Sequence, residues 1–377
     1  QSFQFEGTGE AYEVVELAGL RQELLRRSSS ERLGWRLGLD IEGGRTSYLY
    51  DVPNFGQVEE GSSPFVSPGL YLESTWSRGR LEVTPGVRTD SYVFEDGTIG
   101  PGLDPRVSMR MELSPSTVFR AATGRHSQFP EIRQLLDEAD GDPELSPEWA
   151  QQSSVGLKQS VGSQMSVEVT AFWNELHDLV SGREDVFRFF TGPPPVGPFD
   201  TGAYANDGTG RVVGVETLAR VDTERTLAFA SLTLSRSTRT DRPGDEVTLF
   251  RYDQPYTLNI LASRELKKNR RLGLRLRSTS GYAYTPVINR IYDLDRRQFV
   301  PIYGESDEGR LPPFFSLDIR FDKEWVLRKF NLSAYIDLQN ATNSTNPEIM
   351  SWNYDYSEEQ PFQSNPTLPA FGLKIEW

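Results

Sequence analysis

The chain has 377 residues, no cysteine and a formal net charge of −14. The missing cysteines exclude disulfides, thiolate metal ligands and a cysteine nucleophile, and the acidic balance argues against a nucleic-acid partner. No segment approaches the roughly eighteen consecutive apolar residues of a membrane-spanning helix, but transmembrane β-barrels stay open because their apolar residues alternate along strands.

Strand-like segments follow one another along almost the whole chain, beginning near residues 12–26. Apolar and polar residues alternate with a period of two, which predicts a sheet with one polar face. Clear examples are residues 167–173, 229–234, 272–277, 317–322 and 332–338. Counting back from the C-terminus gives about fifteen strands, and residues 1–10 are a candidate sixteenth.

The predicted connections differ in length in a regular way. Short ones lie at 114–116, 161–163, 223–225, 267–269 and 327–329, and long ones at 51–64, 127–147, 183–208, 241–254, 288–312 and 343–366. Outer-membrane barrels have this asymmetry, with short turns in the periplasm and long loops outside. The pattern therefore predicts a transmembrane antiparallel up-and-down β-barrel.

Aromatic residues near the predicted strand ends suggest girdles at the two membrane surfaces. They are equally typical of any sheet, since aromatic side chains pack well on strands. The candidates are Tyr48, Tyr50, Tyr92, Phe94, Tyr282 and Tyr284.

The last strand ends the chain on an aromatic residue. Phe371, Leu373, Ile375 and Trp377 share one face, because side chains alternate along a strand, and Gly372, Lys374 and Glu376 share the other. Apolar residues outside and charges inside suit the closing seam of an outer-membrane barrel, although a soluble sandwich or lipocalin-like barrel could end in this way.

Six short motifs occur in one order along the chain. They are AATGRHSQFP (121–130) with GDPELSPE (141–148), then AFW to HDLV (171–180), the segment from Asn206 to Glu216, GYAYTP (281–286), RLPPFFSLDIR (310–320) and DLQNATN (337–343). Together these motifs resemble those of TonB-dependent outer-membrane receptors, over roughly residues 106–377.

The resemblance implies a bacterial outer-membrane receptor that is not an enzyme and has no cofactor. It would take up a scarce, bulky solute such as a metal chelate (siderophore uptake), a cofactor or an oligosaccharide, with energy supplied through TonB. Members of this family have a barrel of 22 strands around an N-terminal plug that contacts TonB. No plug is evident here, and the residues from Gln1 onward do not read as a signal peptide, so we expect residues 1–377 to be the C-terminal part of such a barrel.

The resemblance also implies two sets of functional residues. Solute recognition would use the long loops, with Phe187, Phe189, Phe190, Tyr204, Arg251, Tyr252, Tyr354 and Tyr356 as candidates. Phe371, Gly372, Leu373, Ile375 and Trp377 match the C-terminal signal that barrel-assembly machinery recognises. Lumen-facing residues such as Asp318 and Arg320 would dock a plug. Outer-membrane lipid is the remaining expected partner.

No motif supports catalysis. His126 and His177 lie in different hairpins without a second ligand at metal-binding spacing, and no serine has a G-x-S-x-G context. The acidic residues from Asp137 to Glu144 lack the spacing of a Ca²⁺ loop, so solvated charge is the better interpretation. Two other functions stay open: a passive or structural barrel of the same descent, and a soluble secreted all-β carbohydrate-binding protein or hydrolase.

Overall fold

One large antiparallel sheet dominates the structure. The computed structural model describes residues 2–5, 9–28, 32–51, 58–95, 97–136, 141–181, 204–294, 297–305, 307–363 and 366–377. None of the described residues forms a helix long and apolar enough to cross a membrane. Within these ranges a single short helix, α1 (Ile132–Leu136), lies between two strands of the sheet.

The strands, numbered in chain order, include fifteen long ones, ten from β2 to β11 and then β13, β14, β19, β20 and β23. Their bounds are β1 Ser2–Phe5, β2 Gly9–Arg27, β3 Leu33–Asp51, β4 Val58–Arg78, β5 Leu81–Phe94, β6 Gly97–Ser114, β7 Thr117–Gln128, β8 Glu148–Val161, β9 Met165–Ser181, β10 Ala205–Asp222, β11 Thr226–Thr240, β12 Thr248–Leu249, β13 Tyr256–Leu266, β14 Arg270–Thr279, β15 Ala283–Tyr284, β16 Val287–Asp293, β17 Gln298–Tyr303, β18 Gly309–Arg310, β19 Phe314–Val326, β20 Asn331–Gln339, β21 Pro347–Trp352, β22 Glu359–Gln363 and β23 Leu368–Glu376.

The sheet is a simple meander in which each long strand pairs with the next one along the chain. The order runs from β1 through β11 to β13 and β14, then to β19, β20 and β23. Three small two-stranded pieces, β15–β18, β16–β17 and β21–β22, lie within the long connections. The predicted up-and-down sheet is confirmed, and β1 adds the sixteenth strand by pairing with the start of β2.

One face of this sheet is apolar and exposed, as the period-two pattern predicts. On β3, Trp35, Leu37, Leu39 and Ile41 alternate along that face. On β23, Phe371 is 85% exposed and Trp377 is 98% exposed. Such a continuous exposed apolar surface is stable in lipid but not in water.

The opposite face is polar and is held together by ion pairs across neighbouring strands. Asp40 on β3 accepts hydrogen bonds from Arg21 on β2 at 2.6 Å and from Arg88 on β5 at 2.8 Å. Glu73 and Arg106 repeat the arrangement at 2.7 Å. Charges placed in this way suit a hydrated barrel interior.

The regular alternation of short and long connections has two exceptions. The expected long loop at 51–64 is wrong, because β3 continues to Asp51 and β4 begins at Val58, which leaves only six residues between them. The β5–β6 connection lies at the same end of the sheet but has only two residues. Short connections therefore also occur at the loop end of the sheet.

The girdle prediction is wrong for four of its six residues. Tyr92 and Phe94 share a face with Arg88, on the polar side of β5, and stack into a small apolar cluster. Tyr282 and Tyr284 lie in the β14–β19 connection. The side chains of Tyr48 and Tyr50 lie outside the described residues. The lipid-facing aromatic residues include Trp35, Trp76, Trp173 and Trp325 instead, each more than two-fifths exposed.

The apolar cluster is the buried core of the loop end. Leu135 of α1 is 1% exposed and packs with Ile132, Leu145, Val180 and others. Because the sheet faces contact lipid and water, this cluster is where the long connections obtain hydrophobic stabilisation.

Candidate solute-binding cavity

A cavity of about 1130 Å³ opens among the long connections, at the end of the sheet away from the tight turns. Its wall comes from the segments around β7–β8, β11–β13, β14–β19 and β20–β23. Of the described residues, eight aromatic ones line it: Phe129, Phe250, Tyr252, Tyr282, Tyr284, Tyr303, Phe314 and Trp352. A cavity of this size accepts a ligand at or above the upper end of ordinary small-molecule sites, which run to roughly 1000 Å³.

Arg310 holds two of these connections together. Its guanidinium donates to the Asp253 carboxylate at 2.7 Å, to the Asp253 carbonyl at 2.8 Å and to the Gly281 carbonyl at 2.9 Å. Asp253 is 2% exposed, and its other carboxylate oxygen accepts the Ser237 backbone N–H at 2.7 Å. A buried carboxylate needs such partners, so this pair fixes the β11–β13 and β14–β19 connections against one another.

An aromatic group stands beside this pair. Tyr252 contacts Phe250 and Tyr282 edge to face, with ring centroids 5.4 and 5.6 Å away. Tyr252 is still 56% exposed, because its neighbours cover only part of the ring. An aromatic surface held rigidly but left open is suited to stacking against a ligand.

Charged groups of both signs complete the wall. The basic residues are Arg239, Arg242, Arg251 and Arg277, and the acidic residues are Glu131, Glu148, Asp241, Asp245 and Asp307. The guanidinium of Arg239 lies 3.0 Å from the Asp241 carboxylate, and that of Arg277 lies over the Phe314 ring. The cavity therefore offers polar and aromatic contacts together.

Two hairpins meet next to the cavity. Tyr354, in the β21–β22 turn, packs edge to face on Phe299 of β17 with centroids 6.0 Å apart. Asp355 lies 3.5 Å from Arg290 of β16, and the Ser357 hydroxyl holds the pKa of the Asp355 carboxyl below its usual range by donating a hydrogen bond. The hairpins thus support one another at the loop end of the sheet.

Tyr284 joins this contact from the cavity wall. Its hydroxyl donates to Glu359 at 3.3 Å, and burial, followed by the Glu359 charge, raises the pKa of the phenol. The neutral phenol is therefore the form that bridges the two connections at neutral pH.

A family model described as "TonB dependent receptor-like, beta-barrel" matches residues 5–341 of the chain. The chain belongs to this TonB-dependent receptor family. The family places it in the outer membrane of Gram-negative bacteria. A search of curated proteins finds no match.

Solved structures with the same fold support the assignment. The ferric citrate transporter FecA aligns at a TM-score of 0.66 and 15% identity, covering 98% of this chain and 55% of FecA. The ferric-catecholate import receptor Fiu from E. coli aligns at 0.66 and 12% identity, with 98% and 55% covered. The copper transporter OprC aligns at 0.64 and 16% identity, with 98% and 57% covered.

The TonB-dependent receptor chain spans about half the length of these solved relatives. The relatives are named as receptors and transporters, and not as enzymes. At these identities the likeness concerns the fold, and the residues of the cavity must be judged from this chain alone.

The structure separates the eight residues predicted to bind a solute. Arg251 and Tyr252 line the cavity. Tyr204 does not present its side chain to a solute, because it is 5% exposed and packs in the apolar cluster of the loop end. Tyr354 and Tyr356 lie in the β21–β22 turn outside the cavity lining. Phe187, Phe189 and Phe190 lie outside the described residues.

Residues of the family motifs join the long connections to one another through hydrogen bonds. The Asn206 amide bonds the Ser146 N–H at 2.7 Å, the Ser146 carbonyl at 3.0 Å and the Asp178 carbonyl at 2.7 Å. This joins the segment that begins at Asn206 to GDPELSPE. The Asn340 N–H donates to Asp318 at 2.9 Å, which links DLQNATN to RLPPFFSLDIR.

Sequence reasoning used these motifs for identification and missed their contacts. For the Asn206 contacts, the signal that would have found them is the amide side chain itself, whereas the Asn340 contact with Asp318 uses the backbone N–H. A single Asn side chain both donates and accepts, so it fastens a loop through two backbone groups.

The last strand, β23, has the two faces that the sequence predicts. Leu373 and Ile375 are more than half exposed on the lipid side, beside Phe371 and Trp377. Gly372 lies on the other face under the Tyr335 ring, which occupies the space of a Cβ atom. Among the described residues, only β20 pairs with β23, which leaves its second edge open.

Within the described ranges no group of three or more His, Asp or Glu residues forms a metal site. His177 stacks on Trp149 with ring centroids 4.1 Å apart. His126 is paired with Ala150 and therefore lies on the face of the sheet opposite to Trp149 and His177. Three of the acidic loop residues, Asp137, Glu138 and Asp140, lie outside the described part of the chain.

Proposed function

We propose that this chain is the C-terminal part of an outer-membrane receptor that takes up a bulky solute with energy supplied through TonB. The cavity of about 1130 Å³ among the long connections carries the proposal. Its volume suits a solute larger than an ordinary metabolite. Its mixture of arginines, carboxylates and aromatic rings suits one with both charged and flat apolar surfaces.

A metal chelate is the solute class that these features favour. The three relatives described above are named for ferric citrate, ferric catecholate and copper. Citrate and catecholate chelates present negative oxygens, and catecholates also present aromatic rings. Arg251 and Tyr252, which are adjacent in the cavity wall, offer one partner for each kind of surface.

The open sheet supports the proposal that this chain is part of a larger barrel. In the described residues, β2 is paired over most of its length only with β3, and β23 only with β20. Unpaired strand edges are not stable in lipid, since their backbone groups would be unsatisfied. We therefore place the missing strands of a 22-stranded barrel, and a plug that contacts TonB, in the complete protein.

Uptake by cells tests this function. Cells that depend on the complete receptor would be supplied with radiolabelled iron as ferric citrate or as a ferric catecholate, or with copper. We expect one class to accumulate, and accumulation to stop when TonB is deleted. Continued uptake without TonB would instead indicate the passive barrel, and no uptake of any of the three would contradict the metal-chelate class.

Matched variants separate the cavity from the hairpin surface. We expect R251A and Y252A each to lower uptake at limiting solute about tenfold, because each removes a contact worth on the order of 1–2 kcal/mol. Y354A is the control, since Tyr354 is also an exposed tyrosine but lies outside the cavity lining. An equal loss in Y354A would show that the cavity is not the binding site.

We further propose that β23 is recognised by the barrel-assembly machinery through strand addition at its open edge. Main-chain hydrogen bonds would supply affinity, and the alternating side chains would set the register. Deletion of Trp377 is expected to reduce the heat-modifiable form of the protein in outer-membrane fractions. K374Q, on the opposite face, is the control, and normal assembly without Trp377 would exclude the mechanism.

A further inference from the structure

The lipid-facing side of β7 to β11 changes character abruptly towards the loop end. One cross-strand row is apolar and consists of Ala121, Val155, Ala171, Val215 and Leu234. These residues are opposite one another in the strand register and share one face of the sheet. They mark the part of the apolar band that is nearest to the loop end of the sheet.

Four residues further along each strand, the same face is polar. This outer-face polar row consists of Arg125, Gln151, Glu175, Arg211 and Thr238. The row between them contains Trp173 and Arg236, both opposite Val213. Tryptophan marks the boundary between hydrocarbon and headgroups in membrane proteins, so the polar row lies at the level of the outer-leaflet headgroups.

The charge at this level is mainly positive. Arg125, Arg211 and Arg236 lie on this face with Glu175, which is opposite Arg211 and 3.3 Å from it. Arg125 lies over the Trp149 ring and 4.0 Å from Asp104. His177, one row higher, stacks on Trp149, and Trp149 donates to Asp178 at 2.7 Å. Asp178 is thus already engaged by an indole N–H, and Glu175 is the one carboxylate in the row itself.

Arg211 and Arg236 are diagonal neighbours on adjacent strands. Arg211 is opposite Thr238, and Arg236 is opposite Val213. Diagonal pairs stand about 7 Å apart, close enough for two long side chains to converge on one anion. The Arg211 side chain is 56% exposed and its guanidinium lies 5.0 Å from the centre of the Trp173 ring. Arg236 has no hydrogen-bond or ion-pair partner among the described residues.

We propose that Arg211 and Arg236 form a binding site for the phosphate-bearing headgroup of an outer-leaflet lipid. Two guanidiniums match the oxygens of one phosphate, and Trp173 and the apolar band below it hold the acyl chains. Continuity with the lipid-facing band favours a membrane lipid over a free anion. This site is independent of the solute cavity, so failure of the proposed transport would leave it unaffected.

Lipid retention by the complete purified protein tests the site. The protein would be reconstituted in nanodiscs of phosphatidylcholine with a minor fraction of phosphatidic acid, extracted gently, and its bound lipids counted by native mass spectrometry. We expect phosphatidic acid to be enriched on the native protein. R211Q and R236Q should each reduce the enrichment about fivefold, as expected for one arginine near an anionic membrane surface.

R275Q is the matched control. Arg275 is likewise exposed and without a hydrogen-bond or ion-pair partner in the described residues, but it lies on the polar face of β14. The R275Q substitution should leave the enrichment unchanged. Equal enrichment in R211Q, R236Q and R275Q would overturn the proposal. Unheated gel mobility confirms that each variant is folded.

Two further results decide the nature of the ligand. E175Q should increase the enrichment, because Glu175 competes with the phosphate for Arg211, and a decrease would contradict the proposed contacts. Inorganic phosphate at millimolar concentration should not displace the lipid. Displacement would mean that the arginines bind a free anion without the acyl chains, which would refute a lipid site.

Discussion

The pair formed by Arg310 and Asp253 provides the sharpest test of how the cavity is built. The substitution Arg310→Met keeps most of the side-chain volume and removes all three hydrogen bonds that the guanidinium donates. The Asp253 carboxylate, 2% exposed, would then keep the Ser237 N–H as its remaining partner. A buried charge without its counterion is strongly unfavourable, so we expect the connections around it to open.

The magnitude follows from the burial of the two partners. Removing one member of a buried ion pair costs about 3–5 kcal/mol. The Arg310 side chain is 29% exposed, so solvent weakens the interaction and the lower end of this range applies, about 3 kcal/mol. Since about 1.4 kcal/mol is a factor of ten, the opening equilibrium should rise on the order of 100-fold. The strands below should be unaffected.

Hydrogen–deuterium exchange measures this opening at individual amides. The relevant reporters are the N–H groups of Ser237, Ala283 and Leu311, which are bonded to Asp253, Arg251 and Tyr282. In R310M their protection should fall about 100-fold. Protection within threefold of the native value would refute the reasoning, because it would show that Arg310 does not hold the connections.

Two comparisons control for side effects. R290M removes an arginine from an exposed pair with Asp355 at 3.5 Å, so its effect on the same amides should be less than threefold. The double variant D253N/R310M should recover at least tenfold of the lost protection, because a neutral amide avoids the buried charge. Equal loss in the single and double variants would assign the effect to packing.

Two further predictions concern Gly372 in β23 and the hydrogen bond between Asn206 and Ser146. G372A should lower the free energy of unfolding in urea by about 1–3 kcal/mol, because its methyl group would overlap the Tyr335 ring. G273A is the control and should have a much smaller effect, since a Cβ at Gly273 meets nothing closer than 3.6 Å. Equal stability of the two variants would contradict the packing argument. N206A should increase exchange of the Ser146 amide about tenfold, since that N–H loses its acceptor, and unchanged exchange would show that the contact is dispensable.

Strand positions follow closely from the sequence. The expected first strand at 12–26 becomes Gly9–Arg27, and the alternating segment that begins at Phe371 belongs to a strand at Leu368–Glu376. Each strand has one face in lipid and the other in water, so apolar and polar residues must alternate along it with a period of two. The strand count and the lipid-facing side of β23 could therefore be predicted.

The loop residues were harder to place. Arg251 and Tyr252 line the cavity, yet Tyr204, chosen for the same reason, is buried with α1. Nothing in the local sequence distinguishes these positions, because an aromatic residue in a long loop serves equally well as core or as binding surface. Tyr92 and Phe94 show the same ambiguity on a strand, where they pack inward and not into a girdle.

The sequence by itself determined the antiparallel meander, the lipid-facing surface and the family, because these depend on local alternation and on short ordered motifs. Only the tertiary structure decided which loop residues surround the cavity, that Asp253 and Arg310 join across 57 positions, and that Arg211 and Arg236 come together above Trp173. Contacts of this kind depend on strand register and on how separate loops meet, and neither is encoded in any single segment of the chain.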